Sequence, residues 1–361
     1  MKEIQAGKIE RLLVRGTNWI GDAVMSIPAL REIRRIFPRA HIDLLVRPWV
    51  RDVYSAVDFV DEVTDYDKSA SHRGWLGLGR IVSDLRRRRF EMAILLQNAL
   101  EAALIARMAR IPIRIGYARD GRGFLLTHAC PIDPAVRQKH QIFYYLNILA
   151  SVGLLEPALW EKSDYRPSIA IGVRETDRAA ARERLRSEGV VAGQLVVGLN
   201  PGAYYGSAKR WLSDRYAAVA DALAAGFRAR VLIFGSANER IIADEVAARM
   251  AQRPIILAGR TTLGQLMGLI RECSLLITND SGPMHLAAAL DVPQLAIFGS
   301  TSEVATGPLS HRAEVIKEPV ECNPCFLREC PIDFRCMKGI TVERVLNAAV
   351  KKLEGCRGFE V

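Results

Sequence analysis

The sequence predicts an α/β protein of two domains, each a parallel sheet covered by helices. Three observations carry this. Short apolar runs alternate with helical patterns in both halves of the chain. Several of those runs lead straight into glycine-bearing loops. A length of 361 residues suits two domains of ordinary size.

The elements follow in order. Arg11–Arg15 (RLLVR) fits a buried parallel strand, and the loop Gly16–Gly21 follows it. Ala23–Ile36 has helical spacing, ended by Pro38. His41–Val46 and Met92–Leu96 are further strands, and Leu100–Arg110 is helical until Ile111–Pro112 stops it. From Asp164 to Gly193 the chain turns polar and helical, which marks the passage between domains. The second half opens with the strand Leu195–Leu199 and the loop Asn200–Lys209. The helices Ser213–Ala225, Glu239–Met250, Leu263–Glu272 and Pro283–Leu290 then alternate with the strands Arg230–Phe234, Pro254–Leu257, Leu275–Thr278 and Gln294–Phe298. The predicted domains are 1–175 and 176–361, and an arrangement with the last helix, 342–353, packed back on the first domain stays open. In such sheets ligands bind beyond the carboxyl ends of the strands, so the loops between the two domains are where chemistry is expected.

Half the residues are hydrophobic and a quarter are charged, a globular balance that excludes wholesale disorder. The net charge of +10 favours anionic partners: nucleic acid, phosphorylated small molecules or an anionic membrane surface. Nucleic acid is the weakest of these, since no helix-turn-helix, zinc finger or RNA-binding aromatic signature is present. The basic run Arg86–Arg89 reads as the solvated end of a helix, with a binding patch as the alternative. The first residues hold Glu3 and Glu10 and no apolar core of a leader, and no run of about 18 apolar residues occurs. The expected location is therefore the cytoplasm.

Four loops hold the residue types that chemistry needs. In Gly16–Asp22 (GTNWIGD), Asp22 stands at a helix start, where it could cap the helix or serve as a general base. The loop from Asn200 to Trp211 (NPGAYYGSAKRW) combines glycines, hydroxyls and two cations after a strand, a composition that suits diphosphate; an exposed turn is the rival reading. Its spacing is not Walker A. Thr278–His285 (TNDSGPMH) ends a strand and begins a helix at Pro283, so amides at Ser281 and Gly282 would face an anion, with His285 on the first turn. Phe298–Pro308 adds glycines and hydroxyls fit for a pocket wall or a tight turn.

The runs GTNWIGDAVMSIPALREIRRIFP, NPGAYYGSAKRW and TNDSGPMHLAAALDVPQLAIFGSTSEVATGPL resemble those of the ADP-heptose:lipopolysaccharide heptosyltransferases, glycosyltransferase family 9. The segments ARIPIRIGYARDGRGFLLT and KHQIFYYLNIL are similar to the heptosyltransferase II subgroup, and the likeness runs from Leu12 to about Asn347. This resemblance implies a GT-B fold of two Rossmann-like domains. It implies an inverting transfer of L-glycero-D-manno-heptose from ADP-heptose to the first inner-core heptose on a Kdo–lipid A carrier, without a catalytic metal or cofactor. It places the base on Asp22 and the phosphate-contacting lysine on Lys209, with the donor site on Gly202, Asp280, Ser281, Gly282 and His285 and, less surely, Glu239 and Thr261. The acceptor side falls on Asn18, Arg119 and Arg122, with Arg114 in the same segment; these arginines would meet Kdo carboxylates or lipid A phosphates, unless they are ordinary surface residues. A heptosyltransferase I, another nucleotide-sugar enzyme of this fold or a non-catalytic anion binder remain the alternatives. Peripheral contact with the inner-membrane surface is compatible with all of this.

Seven cysteines, an odd number without an export signal, do not predict a disulfide framework. Cys322, Cys325, Cys330 and Cys336 cluster closely enough to hold a structural zinc ion or an iron–sulfur cluster; reduced, partly buried thiols are the other reading.

Overall fold

The computed structural model describes residues 4–156, 159–162 and 165–357. The chain divides into two compact units, Met1–Ile171 and Gly172–Val361.

In the first unit the strands are β1 (Arg11–Arg15), β2 (His41–Val46), β3 (Glu62–Asp65), β4 (Met92–Leu95), β5 (Ile113–Tyr117) and β6 (His128–Cys130). Among the described residues they form one parallel sheet in the order β3-β2-β1-β4-β5-β6. The central strands are the most apolar and the most buried, as helices on both faces require; the edge strand β3 (EVTD) is only half-buried. The helices are α1 (Ile20–Met25), α2 (Ile27–Ile36), α3 (Gly74–Arg87), α4 (Leu100–Met108), α5 (Pro134–Arg137) and α6 (Gln141–Ala150). The single helix expected over Ala23–Ile36 is thus two. The break falls at Ser26, and Pro28 sits in the first turn of α2, where its missing N–H does no harm.

The second unit repeats the plan with β7 (Val196–Asn200), β8 (Arg230–Ile233), β9 (Ile255–Ile256), β10 (Leu275–Asn279), β11 (Gln294–Phe298) and β12 (Ala313–Lys317). Their order is β12-β11-β10-β7-β8-β9, again all parallel. The helices are α7 (Glu175–Ser187), α8 (Ser213–Phe227), α9 (Arg240–Arg249), α10 (Leu263–Arg271), α11 (Gly282–Ala289), α12 (Glu303–Thr306), α13 (Arg335–Gly339) and α14 (Val342–Arg357). The polar stretch expected between domains becomes α7, which packs on α10 within this unit. On α14, Val345, Ala349 and Leu353 recur every four residues and enter the core of the second unit beside Trp211 and Tyr216.

Each sheet has one point where the strand order reverses: between β1 and β4 in the first, between β7 and β10 in the second. Loops leaving the carboxyl ends there splay to opposite faces and open a crevice, the usual place for a ligand in an open parallel sheet. No helix of the described residues is long and apolar enough to cross a membrane.

Candidate active site

At the reversal point of the second sheet, the loops after β7, β10 and β11 converge on one carboxylate. Lys209 ends a short turn after β7, and its Nζ lies 2.5 Å from Asp280 Oδ2. Thr301 Oγ1, from the loop after β11, donates to the same oxygen at 2.6 Å. Asp280 is only 4% exposed, so its charge is tolerable because a cation and a hydroxyl meet it. The Lys209 ammonium also stands 5.0 Å from the centre of the Tyr205 ring.

The neighbouring asparagines fix these loops. Asn279 Oδ1 accepts from Trp211 N and from the Tyr216 hydroxyl, both at 3.0 Å, while its Nδ2 donates to Pro201 O at 2.8 Å. Asn200 Nδ2 donates to Ser281 Oγ at 2.9 Å. The backbone after β7 is therefore tied to the end of β10, which sets the height of Lys209 over the sheet. Ser281 is the extended residue before α11, and Gly282 and Pro283 open that helix. First-turn amides have no helical acceptor, so this helix start presents donors. His285 follows on α11 and is buried.

Gly202 and Glu239 are also brought together. A methyl group on Gly202 would lie 2.3 Å from Glu239 Oε1, so any larger residue there would push the Glu239 carboxylate aside. The other oxygen of Glu239 accepts from Ser236 N at 2.8 Å and Ser236 Oγ at 2.7 Å, a capping box at the start of the next helical turn. Thr261 stands on the loop after β9, one residue before Thr262, whose hydroxyl caps α10.

In the first unit Asp22 lies at the reversal point after β1. It is not at the N-cap position: α1 starts two residues earlier, with Trp19 there, and Asp22 is in the first turn. Its Oδ1 accepts a hydrogen bond from the Tyr145 hydroxyl at 2.8 Å. Tyr145 belongs to α6 and is buried. Burial, and then the adjacent Asp22 charge, push its hydroxyl well above the ordinary tyrosine range, so it remains a proton donor. Asn18 Oδ1 accepts from Arg15 Nη2 at 3.1 Å, and its carbonyl accepts from Trp49 Nε1 at 2.7 Å. Behind that loop Arg15 is buried and lowered to about 10, first by desolvation and then by Arg47.

Comparison with known proteins decides the family. The model of glycosyltransferase family 9 (heptosyltransferase) matches residues 78–334. Lipopolysaccharide heptosyltransferase 2 of Salmonella typhimurium is 33% identical over 321 residues, covering 85% of this chain and 88% of that protein. The chain belongs to glycosyltransferase family 9. The solved structure of Escherichia coli ADP-heptose LPS heptosyltransferase II superposes with a TM-score of 0.79 at 28% identity, over 97% of this chain and 100% of that one. E. coli heptosyltransferase WaaC with ADP shares the fold, with a TM-score of 0.70 at 18% identity over 95% and 99%. The fold is GT-B and the protein is a glycosyltransferase of the heptosyltransferase type.

Three expectations for this heptosyltransferase change. Arg122 does not face an acceptor: it is 0% exposed. Its Nε donates to Tyr117 O at 2.9 Å, Nη2 to Asn98 Oδ1 at 3.2 Å, and Nη1 to the carbonyl of Gln97. It locks the loops after β4 and β5 together, and desolvation lowers it to about 10. Arg114 is likewise buried, donating to Leu125 O and Ile111 O. Of Arg114, Arg119 and Arg122, Arg119 alone is exposed. The cysteines are the third change. Among the described residues no group of three or more histidine, cysteine, aspartate or glutamate side chains is placed to hold a metal ion. Cys336 is buried in the core of the second unit, and desolvation raises its thiol. Cys330 Sγ accepts from Phe334 N at 3.3 Å, and Cys322 is exposed. The segment acts as a brace instead. Phe326 N donates to Ser300 O at 2.7 Å, Ala208 N to Arg328 O at 2.9 Å, and the Tyr205 hydroxyl to Phe326 O at 2.7 Å. It therefore grips the loops that hold Lys209 and Thr301.

Proposed function

We propose that this glycosyltransferase moves L-glycero-D-manno-heptose from ADP-heptose to the first heptose of the lipopolysaccharide inner core, carried on Kdo–lipid A. The observation that carries the reading is the buried Lys209–Asp280–Thr301 cluster at the reversal point of the second sheet, beside the start of α11. A lysine held by a buried acid next to a helix start is a seat for a diphosphate. Gly202, Glu239, Thr261, Ser281, Gly282 and His285 complete the donor side. The relatives named above fit this reading, since one is a heptosyltransferase II and another was solved with ADP.

The acceptor hydroxyl attacks the anomeric carbon from the face opposite the diphosphate. The new C–O bond forms as the bond to ADP breaks, and the configuration inverts. Asp22 takes the hydroxyl proton. Tyr145 acts as a positioning residue, holding the Asp22 carboxylate from behind. Negative charge gathers on the departing ADP, where Lys209 and the amides at the start of α11 stabilise it. Asn18 and Arg119 lie on loops of the acceptor side, and Arg119 is suited to an acceptor carboxylate or phosphate. The enzyme works in the cytoplasm, in peripheral contact with the inner membrane that carries its acceptor.

The test is incubation of the full chain with ADP-heptose and heptosyl-Kdo–lipid A. Mass spectrometry should find the acceptor enlarged by one heptose, with acceptor-dependent ADP release. No product, or preferential use of another nucleotide sugar, would overturn the assignment.

A further inference from the structure

The exposed face of α3 has a composition that the transfer reaction does not use. Trp75 is 86% exposed, Leu76 81% and Phe124 80%, the three most exposed large apolar side chains among the described residues. Such side chains in water mark a surface that something covers. Their places are related by topology. α3 runs from β3 back to β4, so its first turn, with Trp75 and Leu76, lies at the carboxyl edge of the sheet. Phe124 lies on the turn between β5 and β6. α3, α4 and this turn also share one face of the sheet, because Ile81 and Leu85, Ala103 and Ala106, and Leu125 and Leu126 form a single core layer. Leu100, exposed at the start of α4, stands on that rim as well.

The net charge on α3 is positive. Its exposed positions after Leu76 are Gly79, Arg80, Ser83, Arg86 and Arg87. Asp84, the one acid of the helix, is engaged by Arg87 and Arg88 at 3.2 Å each. The acid nearest on α4, Glu101, is met by Lys68 at 2.8 Å. A helix with an aromatic and a leucine at one end and arginines along its outer face suits the boundary between lipid headgroups and acyl chains. The indole and leucine enter the apolar boundary, while the guanidinium groups meet phosphates.

We propose that the outer face of α3 docks this enzyme on an anionic phospholipid surface. The assignment rests on the reading above that the acceptor is lipid-linked. Docking by this rim brings the carboxyl edge of the first sheet, where Asp22 lies, to the level of the membrane surface.

The full chain should be sedimented with vesicles of equal parts phosphatidylcholine and phosphatidylglycerol, and with vesicles of phosphatidylcholine alone. Binding is expected to the first and not the second, weakening as salt rises. The variant Trp75→Ser/Leu76→Ser and the variant Arg80→Glu/Arg87→Glu should each lose about tenfold or more in partitioning. Both should keep the wild-type melting temperature and wild-type ADP release with a water-soluble heptosyl acceptor. Absence of vesicle binding, or binding that both variants retain, overturns the proposal. So does a wild-type dimer in analytical ultracentrifugation that the Trp75→Ser/Leu76→Ser variant dissolves, since the face would then be occupied by a second copy. Failure of the transferase reading shows separately, as absent transfer by the wild-type protein to the soluble acceptor.

Discussion

Replacing Lys209 with methionine removes the positive partner of a carboxylate that is 4% exposed. The Thr301 hydroxyl remains on Asp280, but no cation balances it. Breaking a buried ion pair from one side costs about 3–5 kcal/mol, chiefly through the charge left behind. For a domain of this size each kcal/mol lowers the melting temperature by about 2–4 °C. Lys209→Met should therefore melt roughly 6–20 °C below wild type. Asp280→Asn leaves an ammonium that is more exposed and able to turn outward, so its cost should be smaller, about 1–3 kcal/mol. The double variant Lys209→Met/Asp280→Asn buries no charge and should be about as stable as Lys209→Met alone rather than lose the sum of the two single costs, a coupling of about 2 kcal/mol. Transfer should not recover, because the diphosphate still lacks its cation. The assays are thermal melting of the three variants and ADP release with a heptosyl acceptor. A Lys209→Met protein as stable as wild type would refute the buried pair. A double variant with restored transfer would refute the role of Lys209 at the diphosphate.

Two further outcomes follow from the first unit. Tyr145→Phe removes a hydrogen bond to a carboxylate, worth about 1.5–3 kcal/mol. It should lower kcat by about ten- to a hundredfold with the donor KM unchanged and move the acidic limb of the pH profile upward, because the ionised carboxylate loses a donor; an unmoved profile would reduce Tyr145 to packing. Arg122→Met removes the guanidinium donor from the Gln97 carbonyl and the Asn98 amide oxygen, while Tyr117 O keeps Arg119 N; it should cost several kcal/mol, on the order of 1–3 for each of the two groups that lose it, while the acceptor KM of the folded fraction stays the same. Arg119→Ala should do the reverse, raising the acceptor KM with no change in melting, and equal effects on both quantities in the two variants would contradict this division.

The doubly wound plan was legible because its central strands are short apolar runs, such as RLLVR and LVVGL, whose burial on both faces leaves no alternation to confuse with a solvated strand. Edge strands were harder. EVTD and AEVIK are half-exposed and polar, so their pairing depends on a neighbour that local pattern does not reveal. The helical spacing over Ala23–Ile36 ran straight through Pro28, which the structure places in the first turn after a break at Ser26. The loops at the reversal points announced themselves through glycines, hydroxyls and a lysine. Their connections did not, since Lys209 meets Asp280 across 71 residues and Asp22 meets Tyr145 across 123. Tyr145 sits in KHQIFYYLNIL, and the structure buries its ring while aiming its hydroxyl at the carboxylate. Arg122 shows the opposite failure: a charged residue in a loop signals the surface, yet backbone carbonyls satisfy its guanidinium inside. The cysteine spacing left a metal and reduced, partly buried thiols both open, and did not reveal that the intervening backbone braces the loops around Lys209 by hydrogen bonds.

The central claim is that Asp22 removes the acceptor proton while the second unit alone holds the donor. Its most direct test is Asp22→Ala, followed by calorimetric titration with ADP-heptose and by the rate of heptose transfer. Donor affinity should match wild type and transfer should fall by about a hundredfold or more, the usual contribution of a general base. Transfer at the wild-type rate would contradict the account.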